Sequence, residues 1–286
     1  MPDTPPSDEI TAEFDTGALA AASGDGSAPT VRAHVRWAAR TDIGRVREHN
    51  EDKYDGFQPE DGAVLARRGE AWAVADGMGG HAAGQRASER GLRAFLDAYL
   101  APDGPAGVAD ALRFAAERAN AEVCRLAAED ARLHGMGSTL VALALRGDVA
   151  TVAWVGDSRA LLFRCGEPPA LLTRDHSWVE EQVRAGEMTP DEAARSTRRN
   201  VITRCLGLAD HPGADIEAVR VREGDVFALI SDGVSNHVDA EGMARRIEGR
   251  GLCEAARDIV DDALAAGGTD NATVLLVRIE SLRQVG

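Results

Sequence analysis

The sequence predicts an α+β fold, and three observations carry that prediction. β-type runs follow one another without regular helical alternation: TLVALAL (139–145), TVAWV (151–155) and ALLF (160–163), with turn signals at Gly147-Asp148 and Gly166-Glu167. Two long helical stretches, 82–100 and 106–133, lie together after an earlier strand pair, with apolar residues recurring at spacings of three and four. No Pro/Gly/Ser-rich linker divides the body, so 286 residues are expected to build one large core.

Residues 1–30 hold six acidic residues, no basic ones and four prolines, too little apolar surface to order themselves, and are expected to form a disordered acidic tail. The body is expected to span 31–281. Its remaining strands are HVRWAA (34–39), AWAVA (71–75), VFALI (226–230) and ATVLLVRI (272–279). Shorter helices are expected near 177–186, 190–197, 240–248 and 252–265. Thr189-Pro190-Asp191-Glu192 is a complete start signal: Thr as N-cap, Pro at the first helical position, and Glu three residues after the cap. Asp61-Gly62 reads as a simple turn.

Composition removes several classes of function. No apolar run approaches the roughly 18 residues of a membrane span, and MPDTPPSDEI lacks the basic start and apolar core of a secretory signal, so a cytoplasmic protein is expected. Cys124, Cys165, Cys205 and Cys253 form no CxxC pair, which argues against a zinc knuckle or a disulfide framework. The net charge of -15 opposes nucleic acid and anionic lipid as partners and suits a protein that gathers divalent cations.

The chemistry is concentrated in VADGMGG (74–80), where an apolar run ends on an acid and three glycines. A hairpin turn is the first reading, yet a helical stretch follows where a second strand should be. A dinucleotide loop is the second, since Gly77-x-Gly79-x-x-Ala82 fits a relaxed fingerprint; the acidic residue about 20 positions on, Asp97, falls in a helical pattern instead of at a strand end. The third is a metal site. Asp157 follows TVAWVG, Asp232 follows VFALIS, Asp270 precedes ATVLLVRI, and Glu51-Asp52 follow the loop after the first strand. A packed sheet could bring these carboxylates to one rim, where Mg²⁺ or Mn²⁺ would relieve their repulsion. Glycine there lets backbone approach an ion closely.

Eight stretches occur in order: TDIGRVREHNED (41–52), VADGMGGHAAG (74–84), GMGSTLVALAL (135–145), VGDSRALLFR (155–164), LTRDHSWVEEQVRAGEMT (172–189), RNVITRCLG (199–207), ISDGVSNHV (230–238) and GGTDNATVLLVRI (267–279). Together they resemble the metal-dependent PPM family of protein Ser/Thr phosphatases, the PP2C type, in its bacterial branch. The resemblance implies a four-layer α-β-β-α sandwich with a central β-sandwich flanked by helices. It implies two Mn²⁺ or Mg²⁺ ions and a weaker third. Asp76 matches the carboxylate that bridges two ions, and Gly77 offers its carbonyl. Glu51 matches a ligand of one ion, Asp232 and Asp270 match ligands of the other, and Asp157 with Asp232 matches the site of the third. Asp52 matches a residue that supports the first ion's water, and Arg47 the arginine that grips the phosphate. The implied reaction is attack of a metal-activated water on phosphorus, without a phosphoenzyme.

The implied partners are phosphorylated proteins and a cognate Ser/Thr kinase, with the enzyme acting as a monomer. Met78 stands where many animal and plant members carry the histidine assigned as proton donor, which leaves the general acid unassigned; His49 and His81 are near in sequence. The segment 174–200 resembles the flap beside the cleft. Ser196-Thr197-Arg198 there replaces the His-Pro common in related bacterial sequences. No cysteine begins the C-x5-R spacing of a cysteine-dependent phosphatase, and neither HExxH nor GxxxxGK[ST] occurs. A docking module built on the same fold would be expected to lose metal-site carboxylates, and none is lost here.

Overall fold

The computed structural model describes residues 29–80, 82–208 and 213–285. Nearly all of the segment expected to be a disordered tail, residues 1–28, lies outside the described residues, as does His81. In chain order the strands are β1 (Val31–Asp42), β2 (Asp52–Phe57), β3 (Glu70–Met78), β4 (Gly137–Ser138), β5 (Leu140–Arg146) and β6 (Val149–Val155). They continue with β7 (Arg159–Phe163), β8 (Ala170–Leu171), β9 (Asp215–Arg220), β10 (Val226–Ile230) and β11 (Ala272–Gln284). The helices are α1 (Gly62–Arg68), α2 (Ala82–Leu100), α3 (Val108–Glu129), α4 (Trp178–Arg184), α5 (Pro190–Arg195), α6 (Asp232–Ser235), α7 (Ala240–Ile247) and α8 (Leu252–Ala265).

Two antiparallel sheets form the centre. One has the order β1-β11-β10-β7-β8, the other β2-β3-β5-β6-β9, with β4 paired to β3. Strand periodicity explains why both sheets are covered on both faces. Trp72 and Val74 of β3 join Val141 and Leu143 of β5 in the core between the sheets, together with Phe227, Leu229, Leu275 and Val277 from the opposite sheet. Their neighbours Ala71, Ala73, Ala75, Ala142 and Ala144 point the other way, onto α2 and α3. On the far side Val226, Ala228, Ile230, Val274 and Leu276 pack under α7 and α8. Three hydrophobic slabs therefore separate four layers. Because both faces are buried, the strands read as continuous apolar runs instead of an apolar/polar alternation.

The layers follow the expected α-β-β-α sandwich, while several elements differ from the expectation. Asp61-Gly62 is no simple turn: Asp61 caps α1, its Oδ1 accepting from the Ala63 and Val64 amides. The long helix expected to reach 133 stops at Glu129, after which Asp130 caps a single 3₁₀ turn. Strands β2 and β9 carry no clear β signal, and β11 runs past 281 to Gln284, paired there with Val31. Asp76 and Gly77 lie inside β3 and not in a loop, since that strand continues to Met78 through its pairing with β4. No helix among the described residues is long and apolar enough to cross a membrane.

Close backbone approach fixes the junction of β3 with α2. A Cβ on Gly77 would stand 2.1 Å from the Gly84 carbonyl oxygen. Gly77→Ala should therefore destabilise the fold by about 1–3 kcal/mol, whereas Gly62→Ala, with nothing within 4 Å of the added methyl, should leave the thermal midpoint unchanged or slightly higher. Thermal denaturation of the two variants beside the unchanged chain checks the contrast.

Candidate metal centre

At one end of the sandwich the loops and strand ends enclose a cavity of about 270 Å³. Its wall includes Arg47, Glu51, Asp76, Gly77, Asp157, Asp232 and Asp270, seven of the eight residues singled out from sequence. Asp76 ends the regular part of β3, Asp157 sits in the β6–β7 connection, Asp232 opens α6 just after β10, and Asp270 directly precedes β11. Antiparallel pairing thus delivers four carboxylates from four separate places in the chain to one rim.

Each is held by local hydrogen bonds. The Asp76 amide donates to Thr139 Oγ1 (2.9 Å), and its carbonyl accepts from the Thr139 amide (2.8 Å) and Ser138 Oγ (3.0 Å). Thr139 Oγ1 in turn lies 2.8 Å or less from a second hydroxyl, Ser158 Oγ, at 2.7 Å. The Glu51 amide donates to Asn271 Oδ1 (2.8 Å), and its carbonyl accepts from Ser88 Oγ (2.5 Å) and from the Gly77 amide (3.3 Å). Its carboxylate rests on α2 where Gly84 leaves room: a Cβ there would be 2.7 Å from Glu51 Oε2. Asn271 also donates to the carbonyls of Ile43 (2.8 Å) and His49 (2.9 Å), so one side chain organises the whole loop that carries Arg47.

Burial and mutual repulsion strain these acids electrostatically. Asp157 is pushed up to about 7, first by burial and then by Asp232 and Asp175. Asp76 is raised well above the usual carboxylate range by burial and then by Asp52, Asp232, Asp157 and Asp270. Asp232 is also raised, by burial and then Asp270, with partial relief from a hydrogen bond to Asp76. Its Oδ1 is buried and has no hydrogen-bond partner among the described residues. Arg47 donates from Nη2 to Asp270 Oδ2 at 2.6 Å, and that bond raises the guanidinium's pKa. The sequence assigned Arg47 to phosphate and Asp270 to a cation; the structure pairs them with each other.

Asp52 stands apart from the other seven residues. It is 2% exposed and lies behind the cavity wall, its Oδ2 accepting from Ser231 Oγ (2.8 Å) and Thr273 Oγ1 (2.6 Å) in the opposite sheet. Burial pushes it up to about 6. It pairs with Asp76 across β2 and β3, and so holds the Asp76 backbone from behind the wall. The hydroxyls Thr139, Ser158, Ser231 and Thr273 and the amide of Asn271 were not singled out from sequence; only the adjacency of Asn271 to Asp270 marked any of them.

The donor set suits a hard cation: carboxylates and backbone oxygen, with no cysteine on the wall and no histidine among the described residues lining it. Among the described residues no three His, Cys, Asp or Glu side chains gather into a group able to hold one ion by themselves. The acids are spread around the cavity, which fits ions that keep several waters better than one enclosed by protein ligands. The partnerless Oδ1 of Asp232 and the raised acids around it identify this wall as one that a cation would stabilise.

A sequence model described as protein phosphatase 2C matches residues 44–267. The chain belongs to the protein phosphatase 2C family. A serine/threonine phosphatase, stp, of Listeria monocytogenes is 36% identical over 83% of this chain and 93% of its own length. The phosphatase PstP of Mycobacterium tuberculosis is 36% identical over 86% of this chain, which spans 45% of that relative. Among solved structures, the S. agalactiae serine/threonine phosphatase superimposes with a TM-score of 0.78 at 33% identity, covering 86% of this chain and 100% of that one. The catalytic domain of PstP, in complex with two manganese ions, gives 0.72 at 33% identity, over 86% of this chain and 99% of that one.

In this phosphatase 2C chain the raised carboxylates make stability depend on pH. An aspartate whose folded pKa lies above its unfolded value stabilises the fold below the unfolded pKa, and that contribution is lost as pH rises through the folded pKa. For Asp157 the window runs from 3.8 to about 7. With chelator present, Asp157→Asn should be more stable than the unchanged chain at pH 8, by on the order of 1–2 kcal/mol, and the gap should close toward pH 4. Thermal midpoints across that range test it; a gap that is constant with pH counts against the assignment.

Proposed function

We propose that this chain hydrolyses phosphoserine and phosphothreonine in proteins at a binuclear Mn²⁺ or Mg²⁺ centre. The observation that carries the reading is the wall of Glu51, Asp76, Asp157, Asp232 and Asp270 around one cavity, with Arg47 at its edge. Glu51, Asp76 and the Gly77 carbonyl would contribute to holding one ion, and Asp76, Asp232 and Asp270 to holding the other, with water completing each shell. Asp157 with Asp232 would hold a weaker third. When bound, such ions supply Lewis acidity that makes water nucleophilic at neutral pH and offsets charge on the phosphoryl oxygens.

The chain's own residues supply position. Thr139 and Ser138 hold the Asp76 backbone from one side, and Asp52, bonded to Ser231 and Thr273, holds it from the other. Arg47 is the phosphate-gripping group: its planar fork can leave Asp270 Oδ2 and donate to two phosphoryl oxygens at once. Met78 lies on the wall and has no proton to give, so the leaving alkoxide must take its proton from another group. The working unit in this reading is a monomer, and the activity opposes a Ser/Thr protein kinase.

Phosphate release from matched phosphothreonine and phosphotyrosine peptides, with Mn²⁺, with Mg²⁺ and with chelator, tests the proposal. Turnover should require metal and prefer phosphothreonine. Asp232→Ala should lower it by at least about a hundredfold and should weaken the rise in thermal midpoint that Mn²⁺ gives the unchanged chain. Turnover of Asp232→Ala at the parent rate would remove Asp232 from the ligand set.

A further inference from the structure

Beside the cavity the flap carries a charge pattern that hydrolysis itself does not use. Arg195, Arg198 and Arg199 are all exposed and fall within five residues, in a chain whose net charge is -15. Asn200 and Ile202, immediately after them, line the cavity. The nearby cations Arg159 and Arg204 are neutralised by Asp175 (2.6 Å) and Asp215 (2.9 Å). Arg195, Arg198 and Arg199 have no carboxylate partner among the described residues.

Arg198 is held in place, and the backbone around it is ordered. The Arg198 guanidinium lies 4.9 Å from the centre of the Trp178 ring. Trp178 donates its amide to the Val201 carbonyl (2.8 Å), and Ser177 bridges to Ile202, so the ring under Arg198 is tied to the cavity lining. Two tight turns, Arg199 N to Ser196 O (3.3 Å) and Val201 N to Arg198 O (3.0 Å), fold the segment between.

None of the three lines the cavity, whereas Asn200 beside Arg199 does, so these guanidiniums would meet the neighbours of the phosphorylated residue and not the scissile phosphate itself. An extended peptide advances about 3.3 Å per residue, so the side chains about two to four positions from the phosphosite fall within an arginine's reach. A guanidinium fork suits a carboxylate or a phosphoryl group equally.

We propose that Arg195, Arg198 and Arg199 make this enzyme selective for phosphosites flanked by a further anionic group, either a carboxylate side chain or a second phosphoryl group. The inference rests on the proposed hydrolysis for the site it serves. Cations at the mouth also answer a problem of approach: a phosphorylated segment must come up to a wall of carboxylates, and positive charge at the rim steers it there.

The test compares three phosphothreonine peptides that differ only at positions two to four residues from the phosphosite: neutral side chains, glutamates, or a second phosphothreonine. With the full chain, Mn²⁺ and low salt, kcat/KM for the two anionic peptides should exceed the neutral one by about tenfold. In Arg195→Ser/Arg198→Ser/Arg199→Ser, of unchanged thermal midpoint, the ratio should fall below about twofold. A preference for both anionic peptides assigns selection to charge, and one for the second phosphothreonine alone assigns it to the phosphoryl group. Binding of uncleavable phosphonate analogues, read by fluorescence anisotropy with Mn²⁺ present, separates this inference from the hydrolysis. Preferential binding without turnover of any peptide keeps the flap assignment and defeats the hydrolytic one. Turnover with equal kcat/KM and equal binding across the peptides, or a preference undiminished in the triple variant, overturns the flap assignment.

Discussion

Repulsion between buried carboxylates is the constraint on which the rest of this structure depends. Burial disfavours the ionised forms of Asp76, Asp157 and Asp232, and neighbouring acids add to it: Asp52 and Asp232 at Asp76, Asp232 and Asp175 at Asp157, and Asp270 at Asp232. A fold left to minimise its own free energy would disperse them. Instead the two sheets meet so that strand ends from distant parts of the sequence converge, and the surrounding backbone is bonded tightly enough to hold the convergence. The resulting strain is what gives the cavity its affinity for cations.

The support is mostly neutral. Hydroxyls and one amide do the holding: Thr139 and Ser138 at Asp76, Ser231 and Thr273 at Asp52, Asn271 at Glu51. Ser231 and Thr273 donate to the Asp52 carboxylate while the others bond the backbone of Asp76 and Glu51, and neutral groups do both without cancelling the negative field of the site. Arg47 is the exception, bonded to Asp270 on the same cavity wall. A single ion pair therefore joins the residue proposed to grip phosphate to one proposed to hold a cation.

The sequence made the acids legible and left their supports hidden, for a physical reason. An aspartate at the end of an apolar run, followed by glycine, is a local pattern visible in seven residues. The bond from Asn271 to His49 or the pair between Arg47 and Asp270 joins positions more than two hundred residues apart, and nothing local announces it. The same division appears in the fold. Strands such as TLVALAL declare themselves because burial on both faces demands apolar residues throughout. DKYDGF in β2 carries two aspartates and a glycine, and becomes a strand only because β3 pairs with it. Asp52 was legible as a residue of the site and not as one turned into the seam between sheets, since its bonding partners come from β11 and the end of β10. Asp61-Gly62 was misread because the same dipeptide serves hairpins and helix caps alike.

The alanine-lined face between β3, β5 and the pair α2 and α3 has a consequence for how such a chain can change over time. Ala71, Ala73, Ala75, Ala142 and Ala144 share that slab with Ala83, Ala87, Ala111, Ala115, Ala116 and Ala119, among larger side chains such as Phe95, Tyr99 and Leu112. Alanine against alanine leaves little volume to give up on either side, so a larger residue there must be matched by movement of a whole helix. Between the sheets, leucine, valine and tryptophan can trade volume among themselves. Sequence drift should therefore be free in the middle of the sandwich and nearly frozen on its helical flank, where history can proceed only by coordinated substitution.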